Sequence, residues 1–294
     1  MTVTISASQV KELRELTGAG MMECKKALTE SQGNMDLAIE GLRKSGVAKA
    51  GKKAGRIAAE GAIVIKTNGK QAAMVEVNCE TDFVARDANF TAFVNAVAET
   101  ALQAKEQDIN KLSLLTLQGY DKTVEEVRQE LVSKIGENVQ IRRVILTSAS
   151  AETVGIYLHG ARIGVMVELD TNNVDIARDV AMHIAASKPI VVSPENVSAD
   201  IVAKEKEIYL AQAATSGKPQ EIIEKMVMGR LKKYLDEVSL LGQPFVKDPD
   251  TSVGALLNKN RIKVLAFYRY EVGEGIEKVT EDFAEAVMSQ VQGG

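Results

Sequence analysis

The sequence predicts an α+β protein: a duplicated β-β-α-β core with antiparallel sheets, preceded by a three-helix bundle, interrupted by a helical hairpin and followed by a terminal helix. Three observations predict it. The stretch AIVIKTNGKQAAMVEV within residues 61–77 and the stretch VGIYLHGARIGVMVEL at 154–169 share one plan of strand, Gly-centred turn and strand, each ending in Met-Val-Glu and an aliphatic residue. Residues 6–50 carry apolar side chains at helical spacing between polar breaks. Residues 219–238 carry a sustained apolar seam of the kind that pairs two helices.

In the bundle, Val10, Leu13 and Leu16 recur at helical spacing until Thr17–Gly20 breaks the pattern. Cys24, Ala27 and Leu28 form a second stripe, and Asn34 opens a third helix carrying Leu37, Ala38 and Leu42. A basic stretch follows, with Arg43, Lys44, Lys49, Lys52, Lys53 and Arg56 among Ala and Gly. It reads as a solvated helix end and linker, with an RNA contact as the competing reading. Each core hairpin leads into a helix, with Phe90, Phe93 and Val97 in the first and Ile176, Val180 and Ile184 in the second. Each half closes on a strand-like run, 138–146 and 262–272. Residues 103–123 show no clear pattern and read as a linker.

The second insertion is helical from Ala199 to Ala214 and from Pro219 to Val238, broken by Ser216-Gly217-Lys218-Pro219, where Gly suits a helix end and Pro a helix start. Ile222, Ile223, Met226, Val227, Leu231, Tyr234 and Val238 make its seam, which packing of the two arms explains without a partner. Val279–Val291 reads as a short amphipathic helix with Phe283, Val287 and Val291 in line, held either by the core or by a partner. The expected divisions are 1–54, 55–148, 149–194 with 241–275, 195–240, and 276–294.

Composition narrows the function. The 294 residues exceed one average domain. Forty acidic against 36 basic side chains give a net charge of −4 and a pI near 5.5, so no direct nucleic-acid partner is expected. Trp is absent and aromatics make up only 4%, which leaves few platforms for stacking bases. Cys24 and Cys79, without a second pair, support neither a disulfide framework nor a CxxC metal site and suit a reducing cytosol. The opening MTVTISASQVKEL has no basic-then-apolar pattern, and no window approaches the roughly 18 apolar residues of a membrane span, so a soluble, cytoplasmic protein is expected.

The candidate site is Asn78–Ala85. The strand pattern of Met74, Val75 and Val77 stops abruptly there and leaves an aromatic beside a carboxylate. Thr81 and Asp82 favour turns and helix N-caps, so Phe83 sits in or just after a connection, where binding residues tend to be displayed. Two readings stand: Phe83 and Val84 staple a helix start, or Phe83 protrudes as a wedge. No catalytic constellation emerges. His183 falls on a helix packed against the sheet, and His159 at a hairpin tip beside Gly160, where it suits contact more than catalysis. The chain has no GxxxxGK[ST], GxGxxG, HExxH or GxSxG motif, and Asp82 has no neighbouring His or Lys to tune it as a general base. A binding protein without bond chemistry, needing no cofactor and no metal of its own, is the expectation.

The segments LRELTGAGMMECKKAL (13–28) and EVNCETDFVAR (76–86) resemble the two signature segments of bacterial elongation factor Ts, the guanine-nucleotide exchange factor for elongation factor Tu, and the similarity runs the full length. The resemblance implies a ubiquitin-associated-like bundle, a duplicated core, a coiled-coil hairpin inserted in its second half and a C-terminal module. Arg14, Met21, Met22 and Lys25 would face the nucleotide-binding domain of the partner. On the residues alone, Met21 and Met22 fit adaptable contacts and core filling equally. Asp82 and Phe83, flanked by Thr81 and Val84, would be the wedge that disturbs the partner's Mg²⁺ site, with Ile135, Gly136, His159 and Val246 as further contacts. The implied partner is elongation factor Tu, GDP-bound and nucleotide-free, and a dimer or a 2:2 assembly is admitted. Two other classes compete: a ubiquitin-associated-type adaptor binding through the bundle, and a hydrolase using Asp82.

Overall fold

The computed structural model describes residues 5–214 and 219–277. The helix expected at Val279–Val291 lies outside the described residues. The bundle consists of α1 (Ala7–Thr17), α2 (Met21–Glu30) and α3 (Met35–Lys53). Ser6 starts α1 through a reciprocal capping box with Gln9, Gly18 ends it with a left-handed φ of 68°, and Asn34 caps α3 by accepting the N–H of Leu37. Val10, Leu13, Cys24, Ala27, Leu28 and Ala38 form its core. Leu16 and Leu37, expected in the stripes, are exposed instead. At about 100° per residue, Leu16 stands roughly 120° round the helix from Val10, and Leu37 about 100° from Ala38, off a narrow seam.

The basic stretch read as a helix end and linker is instead largely the last turns of α3, and several of its cations tie the bundle together and to the core. Lys49 pairs with Glu23, Arg43 with Glu130 at 3.8 Å, Arg56 with Glu80 at 3.4 Å, and Lys53 donates to the Gly136 carbonyl.

The first core half runs β1 (Glu60–Thr67), β2 (Ala72–Cys79), α4 (Asp82–Ala85), α5 (Ala88–Ala104), α6 (Ile109–Leu114), α7 (Val124–Ile135) and β3 (Gln140–Leu146). The second runs β4 (Thr153–His159), β5 (Ile163–Leu169), α8 (Val174–Ser187), a 3-10 turn at Pro194–Asn196, α9 (Ala199–Ala214), α10 (Gln220–Val238), β6 (Pro244–Phe245), β7 (Asp248–Ser252), α11 (Val253–Lys259) and β8 (Val264–Glu271). The sheets are antiparallel, ordered β1-β2-β3 and β4-β5-β8, with the third strand of each entering after the helical insertion. Residues 103–123, read as a linker, contain α6, which Asp108 caps through the N–H groups of Asn110 and Lys111.

The repeated Met-Val-Glu sorts the layers. Strand residues alternate between faces, so Val75 and Val77 pack on α5, and Val165 and Val167 pack on α8. Met74 and Met166 turn the other way and share one cluster between the two sheets. The close approach is made at Gly164, where a Cβ would lie 2.5 Å from Ile63 and 2.8 Å from the Met74 sulfur. The glutamates of the motif are both buried. Glu76 receives Arg142 at 3.1 Å, Arg143 at 2.6 Å and the Gly273 N–H at 2.9 Å, which ties β2 and β3 to the end of β8.

The arms of the hairpin meet through Tyr209, Leu210 and Ala213 against Ile223 and Val227. Of the expected seam, Ile222 is exposed. At the hairpin's root, Ile190 donates to Val238 and Leu240 to Val191, and Leu240 is buried in the second core cluster.

Candidate functional site

Strand β2 ends at Cys79, and the chain turns through Glu80 and Thr81 into the single turn of α4. Thr81, and not Asp82, is the N-cap: its hydroxyl accepts the N–H of Val84 at 3.3 Å, while Asp82 occupies the first helical position. That frame sets the fate of the next two side chains. Val84 is buried in the first core cluster, and Phe83 is 81% exposed, so the staple reading fails for Phe83. Asp82 lies beside it, paired with Arg86 one turn on at 3.0 Å.

The turn is held from the far end of α7. Lys134 and Gly136, with φ 86°, mark that helix end. Glu137 then points at the 80–81 turn, accepting the N–H groups of Glu80 (3.1 Å) and Thr81 (3.0 Å) and the Thr81 hydroxyl (2.7 Å). Glu80 reciprocates by accepting the N–H of Asn138 at 2.6 Å. Asn138 is buried and donates to the carbonyls of Ala54 and Arg56, joining the exit of α3 to the same point. Thr81–Phe83, Ile135–Gly136 and the end of α3 are therefore one latched unit. The neighbouring Cys79 thiol is pushed up to about 12 by burial and by the carboxylates of Glu137, Glu60 and Glu80, so it stays a thiol, donating to the Thr81 carbonyl at 3.2 Å.

The bundle packs near the end of α7 that carries this unit. Arg14, Met21, Met22 and Lys25 are all exposed, Met22 at 75%, which removes core filling as the account of the methionine pair. The turn between α1 and α2 approaches the end of α7 at Gly18, where a Cβ would lie 3.5 Å from Lys134. A groove of about 460 Å³ between the bundle and α7 is lined by Leu16, Ile39, Leu42, Val47 and Lys134 among others.

His159 and Val246 lie on the second half, each next in chain or in contact to a residue of one cavity. His159 is exposed beside Tyr157, whose hydroxyl lies 3.5 Å from its Nδ1. Val246 is 44% exposed, next to Lys247. Tyr157 and Lys247 both line a shallow cavity of about 450 Å³ with Asp175, Arg178, Asp179 and Met182. The latching roles of Glu137, Asn138 and Lys53 escaped the sequence reading, which placed Lys53 in a basic stretch and residue 138 at the start of a strand. The Ile135-Gly136-Glu137-Asn138 run carries a local helix-stop signal, but its partner Thr81 lies 56 residues away.

These surfaces accompany close sequence likeness to known proteins. Residues 80–274 match the family model described as elongation factor TS. Elongation factor Ts of Thioalkalivibrio sulfidiphilus is 58% identical over 294 residues, spanning 99% of this chain and 100% of that protein. Elongation factor Ts of Alkalilimnicola ehrlichii is 56% identical across 99% of this chain and 100% of its own length. That of Legionella pneumophila strain Philadelphia 1 is 55% identical across 98% of this chain and 99% of its own length. With the likeness running from the bundle to the last described strand, the chain belongs to the elongation factor Ts family.

Proposed function

We propose that this protein binds elongation factor Tu in its GDP-bound state and accelerates GDP release during translation, making and breaking no covalent bond. The observation that carries this reading is Phe83, 81% exposed on a turn latched at three points, which suits an apolar wedge that must not yield when pressed into a partner. The wedge, with Asp82 beside it, displaces elements around the partner's Mg²⁺ and phosphate site. The metal is an efficient target, because it neutralises the phosphate oxygens and is often the largest local charge in such a site. A small shift of its ligands loosens the nucleotide.

Arg14, Met21, Met22 and Lys25 then meet the nucleotide-binding domain, Ile135 and Gly136 flank the wedge, and His159 and Val246 engage a separate part of the partner. Residues 1–54, the two core halves 55–148 and 149–194 with 241–275, the hairpin 195–240 and the segment 276–294 are the units of this reading. Energetically it is negative coupling between two ligands of one switch protein. The factor by which this protein weakens GDP is the factor by which GDP weakens it, so the nucleotide-free partner is bound more tightly than the GDP form, and returning nucleotide releases it.

Stopped-flow release of a fluorescent GDP from elongation factor Tu tests the reading. Release accelerates with added protein to a plateau, and the isolated protein hydrolyses neither GDP nor GTP. An unchanged release rate at saturating protein would sink it.

A further inference from the structure

His183 of α8 is fully buried, where an imidazole needs both ring nitrogens satisfied. Its Nδ1 lies 3.2 Å from the backbone nitrogen of Val246, and its Nε2 lies 2.9 Å from Gln243 Oε1. A backbone N–H only donates, so Nδ1 is the acceptor and Nε2–H donates to Gln243, which selects one neutral tautomer. Burial lowers the pKa of His183 and so preserves the acceptor. Gln243, also buried, donates its amide to the Ser187 carbonyl at 3.3 Å and to the Glu237 carbonyl, in the last turn of α10, at 2.7 Å. The Phe245 ring packs on the imidazole at 5.9 Å between centroids, and Lys247 pairs with Asp179, one turn before His183, at 2.5 Å.

Strand pairing alone holds Val246 poorly. Strand β6 is two residues long, begins with Pro244, which has no N–H to give, and slips register at Phe245. The N–H of the next residue finds its partner on the imidazole instead. A fully satisfied buried polar cluster fixes geometry where apolar packing would fix only volume.

We propose that His183 is a positioning residue for the Val246–Lys247 surface, holding it outward toward elongation factor Tu, and that Gln243 keys that surface to the root of the helical hairpin. The proposal rests on the reading that Val246 contacts the partner. Two isosteric probes separate the roles of the two nitrogens. His183→Asn places an acceptor near the position of Nδ1, whereas His183→Gln reaches the position of Nε2 and leaves the Val246 N–H without its acceptor.

The experiment measures GDP release from elongation factor Tu against the concentration of full-length protein, for the native chain, both variants and Val246→Asp. His183→Gln raises the half-saturating concentration about fivefold, the loss that one buried hydrogen bond brings, with the plateau unchanged, and His183→Asn stays within about twofold of native. Val246→Asp raises it as well. If Val246→Asp has no effect, the contact reading fails and takes the proposal with it. If Val246→Asp weakens binding while the Asn and Gln variants shift equally or not at all, only the positioning role is overturned. Amide hydrogen exchange of the native protein is independent of variant folding: Val246 is expected to be protected, and an unprotected Val246 amide also overturns the proposal.

Discussion

The Thr81 hydroxyl donates to the Glu137 carboxylate across 2.7 Å while accepting the N–H of Val84, so one threonine both anchors the exposed turn to α7 and caps the helix that follows. Phe83 is aimed by that double role.

Glu137→Ala is expected to cost about 1–3 kcal/mol, because the N–H groups of Glu80 and Thr81 lose their acceptor in a half-buried place. GDP release at saturating protein is expected to slow as well, since Phe83 is no longer braced. A lowered denaturation midpoint with an unchanged release rate would make the latch purely structural.

Phe83→Ala and Phe90→Ala are expected to behave oppositely. Phe90 is fully buried, and its truncation costs about 3–5 kcal/mol. Phe83 stands in solvent, so its truncation moves stability by no more than about 0.5 kcal/mol while slowing GDP release strongly. Denaturant midpoints and plateau release rates decide between them. A sharp stability loss for Phe83→Ala with normal release by the folded fraction defeats the wedge.

Replacing residues 199–236 with a short Gly/Ser linker is expected to leave a folded protein that still releases GDP. The cut spares Glu237, whose carbonyl accepts from Gln243, and residues 238–240, which bond to 190 and 191. Loss of cooperative unfolding in the shortened chain would show that the arms belong to the core.

Glu271 is expected to leave a signature in acid. Hydrogen bonds from Lys188 and then Arg269 pull its pKa from the ordinary 4.5 to about 2. The carboxylate is thus favoured in the folded state, and its stabilisation is complete above pH 4.5 and lost as pH falls toward 2. Denaturant midpoints of the native protein and Glu271→Gln should therefore differ most near neutrality and converge through that window. A difference constant from pH 7 to pH 3 contradicts the assignment.

Local pattern was enough for much of the architecture. The two Met-Val-Glu hairpins, the bundle helices opened at Asn34 and closed at Gly18, and the hairpin of α9 and α10 all rest on periodicity and caps within one segment. Helix α7 went unassigned, although the Thr123–Glu126 capping box that opens it is a local signal. The signature segments likewise sufficed to identify the family, whose model and relatives then matched.

What needed the tertiary structure was direction and long-range pairing. Successive residues of a helix point about 100° apart, so Phe83 and Val84 leave the single turn of α4 in different directions, and the seating of α4 against the sheet decides that Val84 goes in and Phe83 out. Local sequence likewise gave no hint that Glu137 would reach Thr81, that Arg142 and Arg143 would converge on buried Glu76, or that His183 would catch the N–H of Val246. Spacing encodes what a segment does with its own neighbours, whereas a buried carboxylate or imidazole takes its partner from whichever distant strand or turn the packed layers bring within 3 Å or so.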